Sequence, residues 1–404
     1  MALTVRRSQG IVVEYGDETI VFDPSSGTPY DNIFITHAHA DHSAAFRLPA
    51  KKFATEETMS LVRSTERTML GDCKVVAAGG RVRIGDLEVR VYNSGHILGS
   101  VQYEVITPEG SLLYTGDLNC MDTYTTRPAD TVSCDMLVVE STFGSPVFSF
   151  PTREQVAVEI VKWAVRQVNE KNKIPAFQSD SIGNAQELIT IFNRMTRLPV
   201  VATSAVARAS AVYQKYGHKL DYVDAGSDDG EDLLSSGDCV LIAPKGGSLS
   251  RYQNLEVAFA SGWAVILRRG GKEPFPLSDH ADFKQLLSFV RRCSPKRALT
   301  FHGGSYSKDF ASIVRRSLGI EAGPLTDREE ALRGRVSLDA SRVNSCSRML
   351  MGVACIPGFE YSRRWLTKEL AKKGFSKSEV DQTLIVLLDL GRLVAEDADR
   401  VRLA

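Results

Sequence analysis

Seven histidines occur in the chain, and three fall within six positions. These are His37, His39 and His42, which with Asp41 form THAHADH. Neutral imidazole and carboxylate are donors that a borderline divalent ion such as zinc accepts. Four of them in one turn are enough to begin two adjacent metal sites. His96, in NSGHILGS, stands near glycines that permit close backbone approach. Asp117 follows an apolar run and a glycine in YTGDLN, and would supply the carboxylate that two ions share. Asp23, in VFDPSS, either opens a turn before Pro24 or accepts from an imidazole and fixes its tautomer.

Such residues need rigid elements behind them. GIVVEYG and ETIVFDP read as a hairpin with Gly16-Asp17 near its turn. NIFIT, directly before the histidine run, is a buried-strand pattern. DLEVRVYNSG, SVQYEVITPEG, SLLYTGD and DMLVVEST continue the strands. From Thr152 to Asn169 the pattern turns helical, with Val156, Ile160, Val161, Ala164 and Val168 on one side. Strands and helices then alternate through KIPAFQS, Ala185 to Phe192, LPVVATS, Ala209 to Tyr216, DCVLIAP and WAVILRR. That rhythm predicts a parallel sheet. Phe283 to Arg292 reads as a helix and RALTFH as a strand. Leu332 to Cys346 reads as a polar linker. Beyond it come an amphipathic helix in YSRRWLTKELAKKGF, a second opened by capping-box spacing from Ser376 to Glu379, and a two-stranded wing in RLVAEDADRVRL.

The chain has 404 residues, 43% of them hydrophobic and 24% charged, which suits two or three packed domains and excludes a disordered chain or a coiled-coil rod. No apolar run approaches the ~18 residues of a membrane span. Seven cysteines, with no C-x-x-C pair, predict reduced thiols in a cytoplasmic protein. Lys plus Arg equals Asp plus Glu at 49 each, so any contact with nucleic acid must come from local patches.

HAHADH, GHILGS and TGDLN, in this order, resemble the metallo-β-lactamase-fold hydrolases. Glu140 in VVESTFG, His280 in LSDHADF and His302 in TFHGG narrow the resemblance to the β-CASP branch, whose members cut nucleic acids. GNAQEL and VYQKYG are similar to motifs of that branch's cap. Within it, ASGWAVILRR and PLSDHADF look most like the ligase-associated exonucleases, while His302 is also typical of the RNA-cutting, mRNA 3′-end processing members.

The resemblance implies an α/β fold: an αββα sandwich over 1–150 and 271–335 and an inserted β-CASP cap over 151–270; the helix, helix and wing pattern itself makes 340–404 a winged-helix-like module. The resemblance also implies two zinc ions per chain, with manganese as the alternative. His37, His39 and His96 would hold one ion, Asp41, His42 and His302 the other, and Asp117 both. Asp117, His280 and Glu140 would be the catalytic side chains, with His280 protonating the leaving oxygen and Glu140 orienting His280. The partner would be nucleic acid, DNA ahead of RNA, with no membrane and with a protein partner open to the C-terminal module. Small-ester hydrolases share the fold, but the cap, Glu140 and His280 argue against that class. A catalytically dead scaffold would have lost ligands, and none is lost.

Arg208, Lys215, Lys245, Arg251, Arg268 and Arg269 are either phosphate contacts or solvated charges, as are the cations of the first C-terminal helix. Gly183 leads into a helix whose N-terminus either is a plain helix start or receives a phosphate. His218, the one histidine without a role, is expected to be structural.

Overall fold

The computed structural model describes residues 2–25, 27–66, 70–267, 270–332, 340–354, 359–375, 377–389, 392–395 and 400–403. It divides into two compact units, Met1–Arg333 and Gly334–Ala404.

The first unit is built on period-two patterning. In Ile11–Tyr15, Ile11 and Val13 enter one core while Val12 enters another. In Met136–Glu140, Met136 and Val138 face one way and Leu137 and Val139 the other. Strands that are apolar on both faces must be covered on both faces. Two seven-stranded sheets meet this demand. One runs in the order Glu330–Leu332, Leu3–Arg7, Ile11–Tyr15, Glu18–Phe22, Asn32–Phe34, Lys51–Ala54, Cys73–Val75. The other runs Glu321–Pro324, Arg297–Phe301, Met136–Glu140, Gly110–Tyr114, Val101–Thr107, Leu87–Asn93, Arg81–Ile84. Their shared core holds Phe22, Phe34, Phe53, Tyr103 and Tyr114. Helices Phe283–Cys293 and Ser305–Leu318 cover the outer face of the second sheet, and Glu56–Glu66 that of the first.

The hairpin at Gly16-Asp17 forms with Ile11 opposite Phe22. The helix expected from Thr152 begins at Arg153, with Thr152 as its capping box partner to Gln155, and runs to Lys171. A third sheet follows, in the order Val223–Asp224, Val200–Ala202, Val240–Pro244, Ile174–Ser179, Leu255–Ala260, Glu273–Phe275, with every pairing parallel. The alternation of strand and helix therefore produces the sheet it predicts.

One strand of that sheet was misplaced in the sequence reading. Residues 263–267, the described part of WAVILRR, form no strand. Gly262–Val265 is a 3₁₀ turn started by the Ser261 hydroxyl, and Trp263 packs on Phe143 and Phe148. The strand lies upstream, at Leu255–Ala260, where Glu256 interrupts the apolar pattern and the first half is only half-buried.

In the second unit, helices Ala340–Val353, Arg363–Ala371 and Lys377–Asp389 share a core with a sheet in the order Tyr361–Ser362, Arg400–Leu403, Leu393–Ala395. The linker reading of Leu332 to Cys346 is corrected on two counts. Leu332 ends a strand paired with Leu3, and Ala340 onward is helical because Cys346 and Leu350 are buried in this core. The two strands expected in RLVAEDADRVRL pair as Leu393–Ala395 with Arg400–Leu403, and Tyr361 adds a third strand by pairing with Val401. Ser376, the expected cap, lies outside the described residues, as do Arg268 and Arg269.

Candidate metal centre and active site

Each candidate side chain stands at or just beyond the end of a strand, Glu140 as the last residue of Met136–Glu140. Asn32–Phe34 ends just before His37, and the short helix Ala40–Ser43 carries Asp41 and His42. Gly116, at φ 53°, lets the chain turn into Asp117; a Cβ there would meet Thr36 at 2.8 Å. His302 itself has φ 57° and Asp23 φ 46°, conformations that non-glycine residues adopt at a cost and that concentrate at functional sites.

Potential ligand atoms of His37, His39, His96 and Asp117 all lie within 4.8 Å of one another, as do those of Asp41, His42 and His302. Asp117 stands between the groups. Its Oδ2 is 3.6 Å from His37 Nε2 and 3.8 Å from His96 Nε2, and its Oδ1 is 3.6 Å from His42 Nε2. His42 Nε2 is also 3.6 Å from Asp41, and the His42 and His302 rings stack at 5.1 Å.

The inward nitrogens are selected by what holds the outward ones. Asp23 Oδ2 accepts from His42 Nδ1 at 2.8 Å. Thr36 gives its hydroxyl proton to Asp23 Oδ2 at 2.6 Å, so it accepts from His37 Nδ1 at 3.0 Å. The Asp279 carbonyl takes His96 Nδ1 at 2.9 Å, and the Ile182 carbonyl takes His39 Nε2 at 3.1 Å. His39 therefore turns Nδ1 inward, where the other three rings turn Nε2. Fixing one ring N–H outside leaves a lone pair inside.

His37 Nε2, His42 Nε2 and Asp117 Oδ1 are buried without a hydrogen-bond partner. Buried polar atoms without partners are costly, and divalent cations at the two groups would satisfy all three. Burial first, and then the charges of neighbouring histidines, hold His37 and His96 well below the usual imidazole range, so both rings are neutral donors. At His42 burial opposes charge, but Asp117 and Asp23 outweigh it and push the ring up to about 10, so without an ion Nε2 would carry a proton, which a cation bound there would displace. The donor set thus fits two ions.

His280 lies beside this cluster. Its Nε2 is 3.9 Å from Asp117 Oδ2, and its Nδ1 is 2.9 Å from Glu140 Oε1. Glu140 is fully buried and also accepts from the backbone N–H of Leu118 at 2.8 Å and of Thr142 at 3.2 Å. Burial works against the imidazolium, but Glu140 outweighs it and lifts His280 to about 10. Burial likewise opposes the Glu140 carboxylate, and His280 outweighs it and lowers its pKa. His280 keeps 17% of its side chain exposed and lines a cavity of about 240 Å³ with Asn119, Phe150, Arg153 and Gln285.

Sequence reading missed several supports. Tyr114 donates to Asp23 Oδ2 at 2.9 Å. Arg153 pairs with buried Glu187 at 2.8 Å and donates to the Ser278 carbonyl at 2.6 Å, tying the His280 loop to helix Asn184–Met195. Glu187 also accepts from Thr125. The carbonyls of Ile182 and Asp279 act through backbone, which side-chain patterns cannot reveal.

The basic candidates are engaged in different ways. Arg208 Nε donates to the Ser64 carbonyl at 3.1 Å, which joins helix Ser204–Lys215 to Glu56–Glu66. Lys215 lies over Tyr216, and Lys245 pairs with Asp180 at 2.5 Å. Arg251 lies over the Tyr252 ring. At Gly183 the plain helix start holds: its N–H donates to Gln186 Oε1 at 2.8 Å, and Asn184 is buried. His218 is half-buried against Tyr213, and burial lowers its pKa. Among the described residues no cysteine is paired, and no helix is long and apolar enough to cross a membrane.

No family model matches the chain. It is 30% identical over 306 residues to a probable DNA ligase of Opitutus terrae, which covers 73% of this chain but only 28% of the ligase. It is 25% identical to an RNase J-like protein of Methanocaldococcus jannaschii, over 72% of this chain and 86% of that one. It is 22% identical to RNase aCSPSF2 of Saccharolobus solfataricus, over 79% and 80% of the two chains. A crystal structure of a protein of unknown function from Enterococcus faecalis shares the fold, with a TM-score of 0.56 at 15% identity over 82% of this chain and all of that one. The fold is a mixed α/β sandwich of the metallo-β-lactamase kind. These relatives match the resemblance of the chain's motifs to the β-CASP branch of the metallo-β-lactamase-fold family.

Proposed function

We propose that the chain is a two-metal phosphodiesterase that cuts nucleic acid strands, leaving 5′-phosphate and 3′-hydroxyl ends. The observation that carries this reading is Asp117, whose two oxygens face different sets of buried histidine nitrogens, three of these atoms being unpartnered. In this reading His37, His39, His96 and Asp117 hold one ion, and Asp41, His42, His302 and Asp117 the other. Zinc fits the imidazole-rich set best, with manganese as the alternative. When bound, such ions lower the pKa of water to near ~7 and neutralise charge on phosphoryl oxygens.

The chain's own residues do the rest. Asp23, Thr36 and the carbonyls of Ile182 and Asp279 keep the imidazoles aimed. His280 gives its Nε2 proton to the leaving 3′-oxygen, which would otherwise depart as a poor alkoxide. Glu140 orients that ring and holds it cationic. Residues 151–270, with the parallel third sheet, act as the cap, and 340–404 as a winged-helix-like module that touches nucleic acid or protein.

For substrate, an exonuclease on DNA is the first reading, supported by likeness to the probable DNA ligase. RNA is the second, supported by the RNase J-like relative, of which the chain covers most. The test uses zinc-loaded chain with single-stranded DNA, duplex DNA and RNA, each labelled at either end. Cleavage of at least one, with 5′-phosphate products, is the expected result. Activity confined to small esters would overturn the reading.

A further inference from the structure

The C-terminal unit carries a cluster that the metal centre does not use. Phe359 is 55% exposed and Trp365 44% exposed, though both are large and apolar. They flank Tyr361, with ring centroids 5.0 Å from Phe359 and 5.7 Å from Trp365, the latter pair stacked. Tyr361 is itself buried, so the two outer rings are held on a fixed base. Helix Arg363–Ala371 turns Leu366 and Leu370 into its core, which leaves Trp365 and Lys368 on the outer side at helical spacing.

The charge around these rings is one-sided. Residues 359–373 contain five Lys or Arg and two Glu. Both glutamates are already paired, Glu360 with Arg400 at 3.0 Å and Glu369 with Lys372 at 2.6 Å. Arg364, Lys368 and Lys373 are exposed and make no ion pair among the described residues, and Arg363 Nε is buried without a partner. An apolar protein partner would leave these cations uncompensated. A flat π-surface bordered by unpaired cations matches an unstacked base joined to a phosphate.

We infer that Phe359 and Trp365, with Arg364 and Lys368 beside them, form a platform on which single-stranded nucleic acid stacks its bases. The inference rests on the reading of the chain as a nucleic-acid enzyme, and it gives the C-terminal unit a preference for strands over duplex, in which base faces are hidden.

The test uses the full-length chain in EDTA, which keeps the strand intact, and reads anisotropy of a labelled thymidine 12-mer and of a duplex of equal length. The double variant Phe359→Ala with Trp365→Ala changes exposed side chains only, and circular dichroism checks that its fold is kept. It should weaken strand binding about 10- to 100-fold and leave duplex binding nearly unchanged. Arg364→Glu with Lys368→Glu should weaken both and flatten the salt dependence. Unchanged strand affinity in the ring variant overturns the inference and turns the surface toward a protein partner. Equal loss on strand and duplex overturns it as well, since phosphate contact alone would explain that. Cleavage by zinc-loaded wild type is followed in parallel: if it cleaves while the ring variant binds normally, only the platform falls. If the wild type neither binds nor cleaves, the nuclease reading falls with it.

Discussion

Replacing Asp23 by Asn probes how the centre is held without touching a proposed ligand. The two side chains have the same shape, and Asn tolerates the left-handed backbone that Asp23 adopts. The difference is one acceptor exchanged for a donor, and the charge. Asp23 Oδ1 accepts from the Thr36 N–H at 2.8 Å. Its Oδ2 accepts from Thr36 Oγ1 at 2.6 Å, Tyr114 at 2.9 Å and His42 Nδ1 at 2.8 Å. With the amide oxygen toward the three donors, the NH₂ group confronts the Thr36 N–H. One buried pair is then donor against donor, a cost of about 1–3 kcal/mol. The three remaining bonds lose their charge-assisted share, and together the change should cost about 2–4 kcal/mol. The site lies in the first unit, so only that unit's urea transition should shift. Weaker support for His42 should also lower zinc affinity about 10- to 100-fold, read by competition with a chromophoric chelator. Lost stability with unchanged zinc affinity would make Asp23 a packing residue only. No change in either would refute the network.

His280→Ala should keep both metals and the fold but lose about 10²–10⁴-fold in turnover on nucleic acid. A nitrophenyl phosphodiester, whose leaving group needs little protonation, should lose far less, and equal losses would remove His280 from the acid role. Asp135 supplies a pH test away from the metals. Burial raises its pKa, but the Lys296 hydrogen bond at 2.5 Å and the Ser111 N–H at 2.9 Å outweigh that, so its folded pKa is depressed. Its contribution is therefore present above the unfolded pKa of about 3.9 and is lost as pH falls through the folded value. Asp135→Asn should lower the urea midpoint at pH 7 and converge with wild type in acid; a deficit that persists in acid would place its role in packing. Deleting residues 334–404 should leave a folded, metal-loaded chain, because the two units have separate cores. Short oligonucleotides should be cut as before and long strands with a higher KM; an insoluble product would contradict this.

The sandwich was legible because its strands alternate residues between two cores, as Met136–Val139 does. The ligand candidates were legible because histidine is scarce and three share one turn. Leu255–Ala260 was missed because Glu256 interrupts its apolar pattern, while the more apolar WAVILRR drew the strand assignment. The helix from Ala340 was missed because its first half is polar, with Cys346 set among Asn344, Ser345, Ser347 and Arg348. The orienting carbonyls of Ile182 and Asp279 were beyond reach for a different reason. They lie 143 and 183 residues from the histidines they hold, and only the folded chain brings them together.

The most direct measurement strips the chain of metal, titrates zinc back, and follows bound ions and strand cleavage in the same samples, for wild type and for Asp117→Ala. The account predicts no cleavage by stripped chain, activity that saturates at two ions per chain, and loss of metal from both sites together with activity in Asp117→Ala. A stripped chain that still cleaves, or an Asp117→Ala chain that holds two ions tightly and cuts at the wild-type rate, would contradict it.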